Sequence, residues 1–240
     1  MKIEGSVALV TGANRGIGHA FVEVLLARGA ARVYAAARHP DQLDFTDQRV
    51  EKIGLDITDQ AQISAAAAQC DDVNLLINNA GVLYTQGYIT GYDEAHHKNE
   101  MDVNLWGTWD MCRAFAPVLR RNAPAGIVNI SSIVGKVAMP MIGPYSASKA
   151  ALWALTRGIR AELSRDNVLV MSVFPGLTDT RMAEAIDAPK TPPAEVAGTV
   201  LDGVEVGEED VVVCENAIEI EAGLRADPKG VEKDLAKALP

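Results

Sequence analysis

Short β-branched, apolar runs alternate along this chain with stretches whose apolar residues recur every three or four positions. No other feature limits the possible folds as strongly. Strands are predicted over 7–10, 32–36, 50–55, 74–77, 126–130 and 167–174, apolar on both faces as in a parallel sheet covered by helices. In the first helical stretch Ile17, Ala20, Phe21, Val24 and Leu25 share one face, and Gly29 follows as a stop. Further helices are predicted over 59–69, 101–121, 144–163 and 193–203. Strand–helix–strand repetition implies right-handed crossovers and an α/β fold: a doubly wound, mostly parallel sheet with helices on both faces. Such sheets bind ligands outside the carboxyl ends of their strands. A single domain over 1–240 is expected, with a proline-rich loop or lid near 183–193, a last strand at 211–213 and an acidic helical tail over 214–240.

Charge and composition exclude several classes. The 240 residues are 48% hydrophobic and 22% charged, enough for one substantial core. Net charge is −10, and residues 184–240 carry −9 of it (14 acidic, 5 basic), a balance that argues against a nucleic-acid footprint. The acidic end reads as a solvated helical face. No apolar run approaches the ~18 residues of a membrane span. Met1-Lys2-Ile3-Glu4 leads into the first strand without a secretory leader, so a cytoplasmic protein is expected. Cys70, Cys112 and Cys214 are odd in number and far apart, and read as reduced thiols. His96-His97 lacks further ligands, so no metal is expected.

The first strand runs into Thr11-Gly12-Ala13-Asn14-Arg15-Gly16-Ile17-Gly18. Gly12 permits a tight turn, Gly16 lets backbone approach a pyrophosphate, and Gly18 lets helix and strand pack closely. The N–H groups and dipole of the helix that follows favour an anion. A carboxylate ~20 residues beyond the glycines normally accepts the ribose 2′-hydroxyl of NAD. Here the second strand ends in Ala35-Ala36-Ala37-Arg38, with no acid at its tip. Arg38 and Arg15 together suit a 2′-phosphate through charge-assisted bonds, although Asp41 and Asp44 lie nearby. NADP(H) is therefore the expected cofactor, with NAD(H) as the alternative.

Gly12, Gly16 and Gly18 are spaced TGxxxGxG, and over residues 5–182 the chain resembles the short-chain dehydrogenase/reductase family in its single-domain branch. The resemblance implies a Rossmann-like fold. It also implies that Asp56 and Ile57 meet the adenine, and that Asn78-Asn79-Ala80-Gly81 steadies the sheet while its Asn78, Ala80 and Gly81 border the adenosine half. Pro175, Gly176, Thr178 and Thr180 match the segment covering the nicotinamide. Thr178 stands where the family usually has valine or isoleucine.

Tyr145 and Lys149 lie four residues apart on one helix face, Ser132 ends the fifth predicted strand, and Asn104 falls early in helix 101–121. They match the family's Asn-Ser-Tyr-Lys tetrad in order and spacing. Hydride transfer to or from a carbonyl carbon requires a proton at its oxygen, and a free phenol with a pKa of ~10 is a poor base near neutrality. The Lys149 ammonium and an oxidised nicotinamide are expected to lower that value. Ser132 would hold the substrate oxygen. By the resemblance, Lys149 also bonds the nicotinamide ribose and Asn104 anchors a water.

Val82, Leu83, Ile133, Val134, Met139, Met141, Ile142, Leu177 and Met182 flank the tetrad and suggest an apolar ketone, aldehyde or secondary alcohol. The expected activity is NADPH-dependent carbonyl reduction, reversible as alcohol oxidation. The rivals are an NAD-dependent alcohol or hydroxysteroid dehydrogenase, and a non-catalytic nucleotide-binding sensor or scaffold. Trp106, Trp109 and Phe115 lie on one helix of the pair that joins two copies in the family. The acidic ending replaces the family's glycine-rich one, so a homodimer is expected in preference to a tetramer.

Overall fold

The computed structural model describes residues 1–239. Its strands and helices are β1 (Val7–Thr11), α1 (Gly16–Ala27), β2 (Arg32–Ala37), β3 (Val50–Gly54), α2 (Gln60–Gln69), β4 (Leu75–Asn78), α3 (Glu94–Met101), α4 (Thr108–Arg121), β5 (Ala125–Ile130), α5 (Gly143–Glu162), β6 (Val168–Pro175), α6 (Pro193–Val206), β7 (Asp210–Val213), α7 (Glu215–Ala226) and α8 (Pro228–Leu235). The seven strands form one parallel sheet in the order β3-β2-β1-β4-β5-β6-β7. From β1 the winding proceeds outward through β2 to β3, then reverses to β4 on the other side. That reversal opens a crevice at the carboxyl ends of β1 and β4.

Two hydrophobic layers hold the sheet. Phe21 and Leu25 of α1 meet Val196, Val200 and Leu201 of α6 on one face. Ile63 of α2 and Met111, Phe115 and Leu119 of α4 cover the other. Every residue of β4 and β5 is buried, which explains why these strands read as mostly apolar runs, with Asn78 and Asn129 the polar exceptions. Among the described residues no helix is long and apolar enough to cross a membrane, no group of three potential metal ligands occurs, and all three cysteines are free and buried.

Three expectations require correction. The helix predicted to begin at residue 101 is preceded by α3, whose N-cap Asp93 accepts from the His96 N–H at 3.0 Å. Only Glu100 is buried in α3, so it carries no apolar periodicity to reveal it. Next, Asp102–Gly107 is π-helical, so Asn104 stands in a local irregularity between α3 and α4 rather than early in one regular helix. Finally, the acidic tail is not simply a solvated face. Ala217 of α7 is wholly buried, Ile220 packs beside it, and Glu221 pairs with Lys136 at 2.9 Å. The aromatic cluster also divides, with Phe115 inward and Trp106 and Trp109 half exposed.

Glycine positions give a direct test of this packing. A Cβ at Gly18 would collide with the Gly12 carbonyl oxygen, whereas nothing lies within 4 Å of the position at Gly158 in α5. Gly18→Ala is expected to cost about 1–3 kcal/mol through backbone displacement. Gly158→Ala should gain roughly 0.4–1 kcal/mol by restricting the unfolded chain. Urea denaturation of the two variants measures both, and equal effects would contradict the close approach.

Candidate active site

At the crevice Gly12 adopts a left-handed φ of +66°, turning the chain out of β1. A side chain there would also approach Ala80 Cα to 2.9 Å, so the turn needs glycine twice over. The Thr11 hydroxyl donates to the Ile77 carbonyl at 3.4 Å and accepts from the Asn79 and Ala80 N–H groups, each at 3.0 Å. Asn79 Nδ2 donates back to the carbonyls of Thr11 and Gly12 at 2.9 and 3.2 Å. The second motif therefore braces the first. Thr11 and Asn79 belong to the two motifs, and the contacts give them a bracing role that the motif spacing alone does not reveal.

Asn78 ties β4 to β5, as a sheet-steadying segment would. It is buried, and its Nδ2 donates to Asn129 Oδ1 at 2.8 Å, while Asn129 Nδ2 donates to Thr156 Oγ1 at 3.0 Å. Its side chain faces the α4–α5 layer, because residues along a strand alternate between faces and Asn79 takes the crevice side. Asp56 accepts from the Thr58 N–H and hydroxyl at 2.9 and 2.7 Å, acting as a turn carboxylate. Ile57 is buried against Gly107, and Ile17 packs into the α1 layer, so both side chains serve the core.

The crevice has features that a dinucleotide requires. A Cβ on Gly16 would fill the gap to Thr180, ending 3.0 Å from its methyl carbon. Arg15 and Arg38 are exposed, and neither has a carboxylate partner among the described residues. Asp44 is engaged with His19 at 3.1 Å, which holds its carboxyl below the ordinary range. Neither Asp41 nor Asp44 pairs with either guanidinium among the described residues. Asn14 and Gly81 border the same crevice, the latter 3.2 Å, at the position of a Cβ, from Asn104 Oδ1.

Tyr145 and Lys149 occupy successive turns of α5, which opens with Pro144 in its first turn. Tyr145 is 7% exposed and Lys149 4%. The ammonium donates to the Ile130 carbonyl at 2.8 Å and lies 5.6 Å from the Tyr145 ring centroid. Asn104 is fully buried: its Oδ1 accepts from the Val82 N–H at 2.9 Å, and its Nδ2 donates to Ser148 Oγ at 3.1 Å. The π-helical segment, α5 and β5 thus bring Asn104, Ser132, Tyr145 and Lys149 to one edge of the sheet. The two serines separate in role. Ser131 is buried and donates to the Lys149 carbonyl at 3.0 Å, whereas Ser132 turns towards Pro175 and the phenol.

Burial dominates the electrostatics. Desolvation lowers Lys149 to about 8. It raises the Tyr145 phenol, the neighbouring Ser132 hydroxyl opposes that rise, and the buried Glu100 carboxylate adds to it. The lowering of the phenol expected from Lys149 is not supplied by the chain's own groups. The ammonium bonds a backbone carbonyl and lies several ångströms from the ring, while loss of water penalises both charged forms.

The expected substrate lining divides. Leu83, Ile133, Val134, Met139 and Ile142 form one apolar cluster with Tyr145, joined by Val212, Ala217 and Ile220 from β7 and α7. Val82, Met141 and Leu177 are half buried outside that cluster, and Met182 is half exposed. Tyr88 was missed. Its ring lies 2.6 Å from where a Cβ on Gly143 would sit, two residues before Tyr145. It belongs to a loop with no regular period, so only the packing discloses it.

The dehydrated lysine has a measurable consequence. The unfolded chain binds that proton up to a pH of about 10.5, and the folded chain releases it near 8. Unfolding therefore takes up a proton across this window, and stability contributed by Lys149 rises as pH rises through it. The raised phenol of Tyr145 acts oppositely above its ordinary value of 10. Urea denaturation of wild type and Lys149→Met should show a stability difference that shifts in favour of wild type from pH 8 to 10. A pH-independent difference would contradict burial of the ammonium.

The short chain dehydrogenase family model matches residues 6–191. A short chain dehydrogenase from Burkholderia cenocepacia J2315, solved in complex with NADP, superposes with a TM-score of 0.95 at 42% identity, covering 98% of this chain and 99% of that one. Oxidoreductase UcpA of Salmonella typhimurium is 30% identical over 86% of each protein. Galactitol 2-dehydrogenase of Agrobacterium fabrum is 32% identical over 78% of this chain and 76% of its own length. A family match across most of the chain, together with the doubly wound sheet, shows that this protein belongs to the short-chain dehydrogenase/reductase family and is an oxidoreductase of that family.

Proposed function

We propose that the chain is an NADPH-dependent reductase of apolar ketones or aldehydes, reversible as a secondary-alcohol dehydrogenase. The observation that carries this reading is the buried Tyr145–Lys149 pair at the crevice edge, beside Ser132, with two unpaired arginines at the other end of the same crevice. The NADP complex of the 42% identical Burkholderia protein supports the same cofactor.

Gly12, Gly16 and the first turn of α1 would hold the pyrophosphate, Arg15 and Arg38 the 2′-phosphate, and Lys149 the nicotinamide ribose. What the bound dinucleotide supplies is hydride, passed to the carbonyl carbon in reduction and recovered in oxidation. Ser132 donates a hydrogen bond to the substrate oxygen and holds it beside Tyr145. The Tyr145 hydroxyl gives its proton to that oxygen as the carbon–oxygen double bond becomes single. A phenol kept neutral by burial suits this donor role. Lys149 and Asn104, linked to α5 through Ser148, lead protons back from the ring.

The lining formed by Leu83, Ile133, Val134, Met139 and Ile142 offers few polar groups, which favours an apolar carbonyl over a polyol. The half-exposed Trp106 and Trp109, tilted together at 5.6 Å, support a homodimer through the face shared by the π-helical segment and the first turn of α4.

Tyr145→Phe should lower turnover by at least about 100-fold, within the range of general acid–base contributions. Its affinity for NADPH should match wild type, and near-normal turnover would remove the assignment. Arg38→Ala should weaken NADPH far more than NADH in parallel fluorescence titrations. Equal losses for the two would remove the 2′-phosphate role. A spectrophotometric screen of aliphatic, aryl and steroid ketones with each cofactor tests the reaction class.

A further inference from the structure

The segment Pro175–Thr180 leaves β6 without regular structure, yet it is secured on two sides. On one side Thr191 donates to the Leu177 carbonyl at 3.0 Å and accepts from the Asp179 N–H at 2.9 Å. On the other stands the β7–α7 turn. There the Gly176 N–H donates to the Val213 carbonyl at 3.1 Å, and Thr178 Oγ1 meets Cys214 Sγ at 3.6 Å. Asn216 makes the third tie, its Oδ1 accepting from the Leu177 N–H at 3.0 Å. The Asn216 amide also lies so close to Gly176 that a Cβ there would run into it. The next residue, Ala217, is wholly buried in the cluster that contains Tyr145, Ile133 and Val134. One turn of α7 therefore touches both the segment and the packing around the phenol.

The geometry points to Asn216 as a positioning residue that sets where Pro175–Thr180 stands relative to Tyr145. This rests on the reading of Pro175–Thr180 as the segment that meets the nicotinamide half. Asn216 acts through Leu177 and Gly176. Its carbonyl oxygen satisfies a backbone N–H that would otherwise lack a partner, and its amide limits how far the segment can move outward. The family match ends at residue 191, so this support is built from parts of the chain beyond it. Thr178, which departs from the family's valine or isoleucine, gains a partner in the same turn through Cys214.

The test is calorimetric titration of Asn216→Ala, Asn216→Leu and Asn216→Asp with two probes, NADPH and 2′,5′-ADP. Alanine removes the acceptor, leucine removes it while keeping the bulk, and aspartate keeps it. The alanine and leucine variants should bind NADPH roughly three- to tenfold more weakly, the worth of one hydrogen bond. They should bind 2′,5′-ADP as wild type does, because that probe lacks the nicotinamide half. Aspartate should restore NADPH affinity. If alanine prevents folding, the leucine–aspartate comparison decides alone. Equal weakening of both probes, unchanged NADPH affinity, or an aspartate variant as weak as leucine would overturn the proposal. Wild type failing to bind either probe would instead remove the functional reading on which it stands.

Discussion

The carboxyl edge of this sheet depends on how closely β1, β4 and α1 can approach one another. Because the winding reverses between β1 and β4, no crossover helix fills the space beyond their ends, and the backbone must close the floor of the crevice itself. Thr11 and Asn79 do so by exchanging hydrogen bonds across the two strand ends. Gly12 and Gly18 remove the Cβ atoms that would hold these parts apart. Buried backbone polar groups need partners, and here two side chains supply them where the ladder stops.

A second constraint is the dehydration of the Tyr145–Lys149 pair. Lys149 retains one backbone carbonyl as its partner inside the described chain, and Tyr145 is almost fully enclosed. Both groups are driven towards their neutral forms. Under the proposed function, a cationic nicotinamide and ribose hydroxyls in the site would shift that balance. A neutral phenol suits delivery of a proton, and its ionised form suits removal of one. Under the proposed reading, the same residue would serve both directions because the charge beside it would change with the oxidation state of the bound dinucleotide.

Much of this was legible along the chain, for identifiable reasons. Central strands buried on both faces are mostly apolar, so β4, β5 and β6 appear as short apolar runs, interrupted only by Asn78, Asn129 and Ser172. The glycine turn and Tyr145/Lys149 are local spacings that backbone geometry forces. Elements held by polar contacts were not legible. Helix α3 buries one glutamate, whose Oε1 accepts from the Tyr84 N–H at 2.7 Å, and gives no hydrophobic period. Asn78 and Asn79 look equivalent in sequence, and only strand alternation directs one inward and the other to the crevice.

Residue order by itself determined the alternation of strand and helix, the position of the glycine-rich turn, and the one-turn spacing of phenol and ammonium. Each is settled by neighbours a few positions apart. Tertiary structure decided which serine faces the phenol and which asparagine braces the turn. It also decided that the acidic tail turns Asn216 and Ala217 inward against the site. Those outcomes depend on strands and helices far apart in the chain coming into contact, and on burial favouring neutral over charged groups. Neither effect exists until the sheet has closed.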